Sequence, residues 1–412
     1  MLYLEVKMNE ASISLRLHRW NLVLLLSSAL YWGFTGSSAE AQGMKASQNP
    51  NPASQPPGIP QPGSEPPAPK DESQKNGQGH DGAFVIAPLP IFSPALGTGI
   101  VPVLSYIFPT GTSAKATSAS VVGAVGLVTD NGTRALALGG EIYLGQGAYR
   151  FTTIYCRGNL NYDLFGLGSG DSEARLPLEQ TGQVVSAEFL RRAWWKILLG
   201  PRFLWGTSLI TVRSGNVGTE QAPPDLGLRT TLTAIGLRLN RDTRPNRFYP
   251  TSGSSLDFTA DFFTQGLGSK YSFQSYKFAF NKYFGLTPNQ VLASGSFACV
   301  TGGEPPFYGN CIYATNSQLR GYTAGRYLNR YMFGTQVEYR LTLPKRFGLV
   351  AFGGLGEVIP GGNQPFRTKN FLPSGGGGVR FQLSKKYHVN LRADFAQGID
   401  SHTWSLGVGE AF

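Results

Sequence analysis

The 412-residue sequence predicts an all-β fold: a transmembrane antiparallel β-barrel of about sixteen strands behind a disordered N-terminal linker. Three observations predict it. From Gly82 to Phe412, apolar and polar residues alternate with period two almost everywhere, the pattern of strands whose successive side chains point to opposite faces. The alternating runs are about ten to fourteen residues long, against about five or six in soluble sheets and about 9 to 11 for a tilted membrane strand. The polar face carries Arg, Asp, Glu and Gln in run after run, while the apolar face holds more aromatics than a sandwich core could absorb; a lipid exterior can take them.

Composition narrows the function classes. Charged residues are only 15% of the chain, against roughly 25% in ordinary soluble domains. The formal charge of +11 is spread without a run of like charges, so no nucleic-acid-binding face is expected. Three cysteines are too few for a disulfide scaffold, and His18, His80, His388 and His402 are too scattered for a metal cage. The absence of a Gly-X-Y period, of heptads and of a second long apolar run sets aside collagen, coiled coil and helical membrane protein.

The elements follow in order. Arg16, His18 and Arg19 precede an apolar stretch from Trp20 to Phe34, which at about 15 residues is short for a bilayer span of about 20. With Ala39-Glu40-Ala41 after it, this reads as a signal peptide over residues 1–41, cleaved before Gln42; the other reading is an uncleaved anchor, and Met8 is an alternative start. Residues 42–81 hold Pro50, Pro52, Pro56, Pro57, Pro60, Pro62, Pro66, Pro67 and Pro69 among Ser, Gln, Asn and Gly. Such a segment buries too little apolar area to offset its chain entropy and reads as an extended linker.

Residues 82–412 form the barrel domain, with strands expected at 84–92, 97–108, 116–129, 133–145, 147–160, 180–192, 195–213, 228–241, 252–265, 270–285, 289–300, 330–343, 346–358, 375–384, 386–397 and 401–412. In one of them Tyr387, Val389, Leu391, Ala393 and Phe395 alternate with His388, Asn390, Arg392 and Asp394. Asp130-Asn131-Gly132, Gly145-Gln146-Gly147, Arg244-Pro245-Asn246, Leu286-Thr287-Pro288, Pro344-Lys345 and Ser384-Lys385-Lys386 mark turns. An even count places both barrel ends on the periplasmic side and makes the long connections, 161–180, 214–227 and 300–329, extracellular. In the last strand Trp404, Leu406, Val408 and Phe412 share one side, which puts Phe412 on the lipid face and Glu410 outward beside it.

The longest connection contains Leu319-Arg320-Gly321-Tyr322 and Gly325-Arg326-Tyr327, and the strand after it Glu338-Tyr339-Arg340. Earlier stand Asp242-Thr243-Arg244-Pro245-Asn246 with Pro250-Thr251-Ser252-Gly253, and Pro88-Leu89-Pro90 followed by Gly97 and Gly99. Over Gly82 to Phe412, these motifs in this order resemble the BamA/TamA-type outer-membrane assembly barrels, also called the bacterial surface antigen superfamily. The resemblance implies that Leu319, Arg320, Gly321 and Tyr322 fold back into the lumen, with Glu338 and Asp394 as partners of Arg320. It also implies that Asp242, Arg244, Pro250 and Gly253 shape a periplasmic turn and that Phe412 is a C-terminal assembly signal. Two departures stand out: residues 43–81 do not encode a POTRA domain, and Gly354 stands where the family carries a lumenal Asp.

No Gly-x-Ser-x-Gly, His-Glu-x-x-His or phosphate loop occurs, so no enzyme activity, cofactor or metal is expected. Gly375 to Gly378 reads as relief of crowding in a bend, and the pairs Glu338/Arg340 and Arg392/Asp394 as lumenal ion pairs. Cys299 and Cys311 flank the start of the long loop and are either bridged or free; Cys156 is left over in the barrel wall. The function expected from the resemblance is outer-membrane protein assembly, insertion or translocation. The alternatives are a passive or loop-gated pore, whose inward Arg238, Arg340, Arg380 and Arg392 would favour anions, and a structural surface protein. The expected partners are the outer-membrane bilayer and either unfolded outer-membrane protein clients or separate periplasmic factors, with the barrel a monomer and no nucleic acid bound.

Overall fold

The computed structural model describes residues 83–93, 96–109, 119–164, 176–213, 226–246, 249–312, 319–322, 327–359, 371–384 and 388–412. The signal segment, the proline-rich linker and Gly325-Arg326 lie outside them. Sixteen strands form a single antiparallel sheet in chain order: β1 (Ala83–Ser93), β2 (Gly97–Pro109), β3 (Ala119–Thr129), β4 (Arg134–Leu144), β5 (Tyr149–Leu164), β6 (Leu176–Arg192), β7 (Ile197–Val212), β8 (Arg229–Asp242), β9 (Gly253–Phe263), β10 (Phe273–Thr287), β11 (Gln290–Gly303), β14 (Tyr331–Thr342), β15 (Phe347–Ile359), β16 (Phe371–Ser384), β17 (Val389–Gln397) and β18 (His402–Val408). Two-residue strands β12 (Cys311–Ile312) and β13 (Leu328–Asn329) pair with each other inside the longest connection. The sheet curls until β1 and β18 lie side by side, giving a nearly closed barrel.

Each of the sixteen expected strands has its counterpart, with bounds that agree to within three residues except at four places, the first of them the end of β5, which runs on to Leu164. β6 begins at Leu176, where its ladder with β5 continues to Leu164 and Asn159 donates to Glu179. β16 begins at Phe371 and runs through Gly375 to Gly378, so these glycines lie inside a strand rather than opening one. A Cβ at Gly376 would overlap the Phe352 ring at 2.7 Å, and one at Gly378 would overlap Asp394; bare backbone makes room for both lumenal side chains. The fourth difference is the last strand, which stops at Val408.

The alternation maps onto the wall as a membrane requires. Leu136, Leu138, Phe189, Phe203, Ile235, Leu237, Val337, Leu349, Val379 and Trp404 are exposed on the outside, while Glu141, Glu188, Arg238, Glu338, Arg340 and Asp394 are buried on the inside. Water-soluble sheets bury the opposite set. Each outward Leu, Ile or Phe gains about 1.5–3 kcal/mol when lipid replaces water, whereas the inward charges need partners to offset lost hydration. Arg238 finds Glu188 at 2.9 Å and Asp257 at 2.6 Å, and Arg202 finds Asp261 at 3.3 Å.

The lumen is occupied. Tyr308, in a short 3-10 turn of the longest connection, reaches the far wall and packs among Val125, Leu127, Cys156, Leu160, Tyr162 and Ile210. Its hydroxyl donates to Thr230 Oγ1 at 2.5 Å. Cys156 is thus part of the apolar seat of the loop.

Candidate functional site

Two neighbouring features form the site: the loop tip anchored in the lumen and the unpaired junction of the first and last strands. The tip is positioned by glycine. Gly321 has φ +106, and a Cβ there would meet the Gln397 and Gly398 backbone at 2.9 Å, so only glycine lets residues 319–322 approach the β17–β18 turn this closely. There Gly321 N–H donates to Thr403 Oγ1 (3.2 Å), Ser401 Oγ donates to Gly321 O (2.8 Å) and Tyr322 Oη donates to Pro373 O (2.6 Å). Leu319 and Tyr322 pack with Phe297, Cys311, Met332 and Leu372.

Arg320 points from this tip into the lumen. Its Nη2 lies 2.7 Å from Glu338 Oε2, its Nη1 donates to Asp394 Oδ2 at 3.0 Å and its Nε donates to Gln336 Oε1 at 2.7 Å. The guanidinium plane stacks 3.3 Å from the Phe352 ring centroid. The planar fork suits this combination of two carboxylates, an amide and a ring face. Glu338 also accepts from Arg340 Nε at 2.6 Å, and Arg380 bonds to Asp394 and to Glu410 at 2.8 Å. Four arginines, with Arg392 3.9 Å from Asp394, therefore share three carboxylates.

Gln336 and Phe352 were missed by the sequence reading, although both were legible by parity. Gln336 shares the face of Glu338, and Phe352 is the residue paired with Glu338 across β14–β15. Gly354 has a positive reason to be glycine, since a Cβ would meet Leu319 Cδ1 and Thr335 O at 2.9 Å.

The expected position of Phe412 and Glu410 needs correction. Gly409 adopts φ +85, which only glycine tolerates easily, and turns the tail off the strand into the lumen. Glu410 faces Arg380 and Asn390 there rather than lipid. The Phe412 ring lies against Gly295, and its main-chain oxygen accepts from Arg340 Nη2 at 3.0 Å. Arg340 reaches the β8–β9 turn as well, donating to Pro250 O at 3.4 Å. In that turn Arg244 N and Nε donate to Asp242 Oδ1, both at 3.0 Å, and Gly253 sits at φ +85 with no room for a Cβ beside Thr243 O. The sulfurs of Cys299 and Cys311 are bonded, fastening the start of the loop to β11.

The seam differs from every other strand boundary. β1 and β18 are adjacent, yet among the described residues no backbone ladder joins them. Opposed residues in an antiparallel ladder alternate between pairs that exchange both N–H···O bonds and pairs whose amides point away. Pro88 faces Pro102 across β1–β2, and neither has an N–H to exchange. That pair therefore occupies an amide-away position, so the backbone edges of Pro88 and, two residues on, Pro90 point to β18. Both prolines remove donors from the seam itself.

Residues 213–412 match the Omp85 superfamily domain. No curated protein matches the chain. Among solved structures, it is similar to Haemophilus ducreyi BamA lacking POTRA domains 1–3 at 13% identity and TM-score 0.55, covering 80% of this chain and 70% of that one. It is also similar to CdiB from Acinetobacter baumannii and from Escherichia coli, each at 11% identity and TM-score 0.53 over 79% of this chain. The matches span 58% and 67% of the two CdiB chains. The chain thus resembles the Omp85 superfamily domain over residues 213–412 and is a sixteen-stranded barrel with the fold of BamA and CdiB.

Proposed function

We propose that this barrel sits in the outer membrane and inserts or translocates polypeptide by opening the seam between β1 and β18. The observation that carries the reading is the missing ladder with Pro88 and Pro90 on the seam edge. An edge that keeps carbonyl acceptors but lacks some of its own donors can take an incoming strand by augmentation, because little pairing must first be broken. The Gly321 backbone of the loop tip bonds to Thr403 and Ser401 on the last hairpin and Arg320 bonds to Asp394 on β17, so the tip steadies one lip of the seam. In this reading the end carrying the strand termini faces the periplasm, where residues 42–81 emerge after removal of residues 1–41. Unfolded outer-membrane proteins or separate periplasmic factors reach the seam from there, and the barrel acts as a monomer.

The pore alternative has less support. The four inward arginines that would favour anions face carboxylates, and Tyr308 spans the lumen. The deciding experiment staples β1 to β18 with introduced cysteines in proteoliposomes and follows folding of an added unfolded barrel protein. The staple should abolish insertion, and reductant should restore it. Insertion at an unchanged rate through the stapled barrel would overturn the reading, as would a steady conductance without insertion in either state.

A further inference from the structure

The β6–β7 corner carries a feature that the seam does not use. The outer wall has a groove of about 620 Å³ lined by Phe151, Phe189, Phe203, Ile235, Leu237 and Phe262. On the same face, toward the termini end of the barrel, Arg191 follows Phe189 by two residues and Arg241 follows Leu237 by four, distances of about 7 and 14 Å along the strands. Arg191 stands opposite Leu199 and Arg241 opposite Ile197, so the two arginines flank β7 about 10 Å apart in the pairing direction, within the joint reach of their side chains. No carboxylate pairs with Arg191, Arg192, Lys196 or Arg241 among the described residues; Arg241 donates instead to Trp195 O at 3.1 Å and Ser254 Oγ at 3.4 Å.

The turn below them is held under strain. Trp195 and Lys196 adopt φ 54 and 61, a region costing a non-glycine residue about 1–2 kcal/mol. A glycine-bearing turn would avoid that cost, so the strain points to use of these side chains. Trp194 and Trp195 are 69% and 77% exposed, and Tyr149 stacks on Phe189 at 5.7 Å. Exposed indoles beside cations, at the rim of an apolar wall, suit the headgroup level of a bilayer.

We infer that this corner is a binding site for an anionic diacyl phospholipid. Arg191, Arg241 and Lys196 hold its phosphate, Trp194 and Trp195 lie at its glycerol level, and one acyl chain fills the groove. The arginines stand at positions on the same outer face of the wall as the groove, which favours a lipid over an acidic protein.

The test uses the full chain with its other four tryptophans replaced by phenylalanine, so that Trp194 and Trp195 report. The protein, in neutral phosphatidylcholine micelles, is titrated with phosphatidylglycerol brominated in its acyl chains and, separately, with brominated phosphatidylcholine. The anionic lipid should quench at a concentration lower by about fivefold for each engaged arginine. Arg191→Gln with Arg241→Gln should bring the two lipids together without changing unquenched emission, and millimolar inorganic phosphate should not compete. Equal quenching by both lipids in the native protein would overturn the inference. A preference that survives the double substitution, or one abolished by inorganic phosphate, would do so too, as would binding of acidic protein at the corner in place of lipid.

Discussion

The two ends of the barrel turn the chain by different means. At the loop end, the described positions with positive φ are all glycine: Gly97, Gly132, Gly227, Gly268, Gly303 and Gly321. At the termini end the same backbone region is also occupied by Gln146, Trp195, Lys196, Lys345, Arg346 and His388, and these are all the non-glycine cases among the described residues. Glycine pays nothing for this geometry, whereas a side chain with a Cβ does. The loop end therefore uses backbone freedom to deliver the tip of one connection into the lumen. The termini end tolerates strain and keeps cationic and aromatic side chains at the rim.

That contrast can be broken at both ends, and the largest effect is expected where the loop end meets the lumenal charges. Glu338 faces Arg320 at 2.7 Å, Arg340 at 2.6 Å and Arg380 at 3.7 Å. Glu338→Ala removes the carboxylate shared by three buried cations and should lower unfolding free energy in detergent by about 3–5 kcal/mol, read from urea titration or from the temperature of the gel-mobility shift. A loss under 1 kcal/mol would mean that the loop is not anchored by these charges. Opening the Cys299–Cys311 bridge, which spans 12 residues of separation, should cost about 3 kcal/mol by the chain-entropy estimate. Cys299→Ser with Cys311→Ser checks it, and the protected loop should become protease-sensitive.

Two smaller effects have opposite signs. Gly321→Ala introduces a Cβ into the Gln397–Gly398 backbone and should cost about 2 kcal/mol. Lys345→Gly relieves φ 60 at an exposed turn and should gain about 0.5–1 kcal/mol after the added flexibility of glycine is counted. Should Lys345→Gly prove destabilising, the termini end is not strained in the sense described.

Most of the wall was legible in the sequence because parity is a local property: each strand states its own inside and outside. The partners of Arg320 were half legible. Glu338 and Asp394 as partners follow from the family resemblance together with parity, and parity puts Gln336 and Phe352 on the same lumenal face, but that Phe352 stands beside Glu338 depends on the register between β14 and β15, which a single strand does not encode. The glycines of β16 were ambiguous for a related reason. Their purpose is the space they leave for Phe352 and Asp394, side chains supplied by the neighbouring strands. Alternation carried through Gly409 puts Phe412 on the lipid face, but one left-handed residue resets the count and turns it inward.

The inward tail has a consequence for the order of biogenesis. Phe412 meets Arg340 of β14, which in turn touches Pro250 before β9, so three segments widely separated in sequence converge on one guanidinium. Contacts closing such long loops form after the local hairpins have zipped. The tail therefore takes its lumenal place late, after β14 and the β8–β9 turn have been brought together by the curling of the wall. Its four residues act as a latch that only a rolled sheet can close, so a seated tail reports that the wall has already come round.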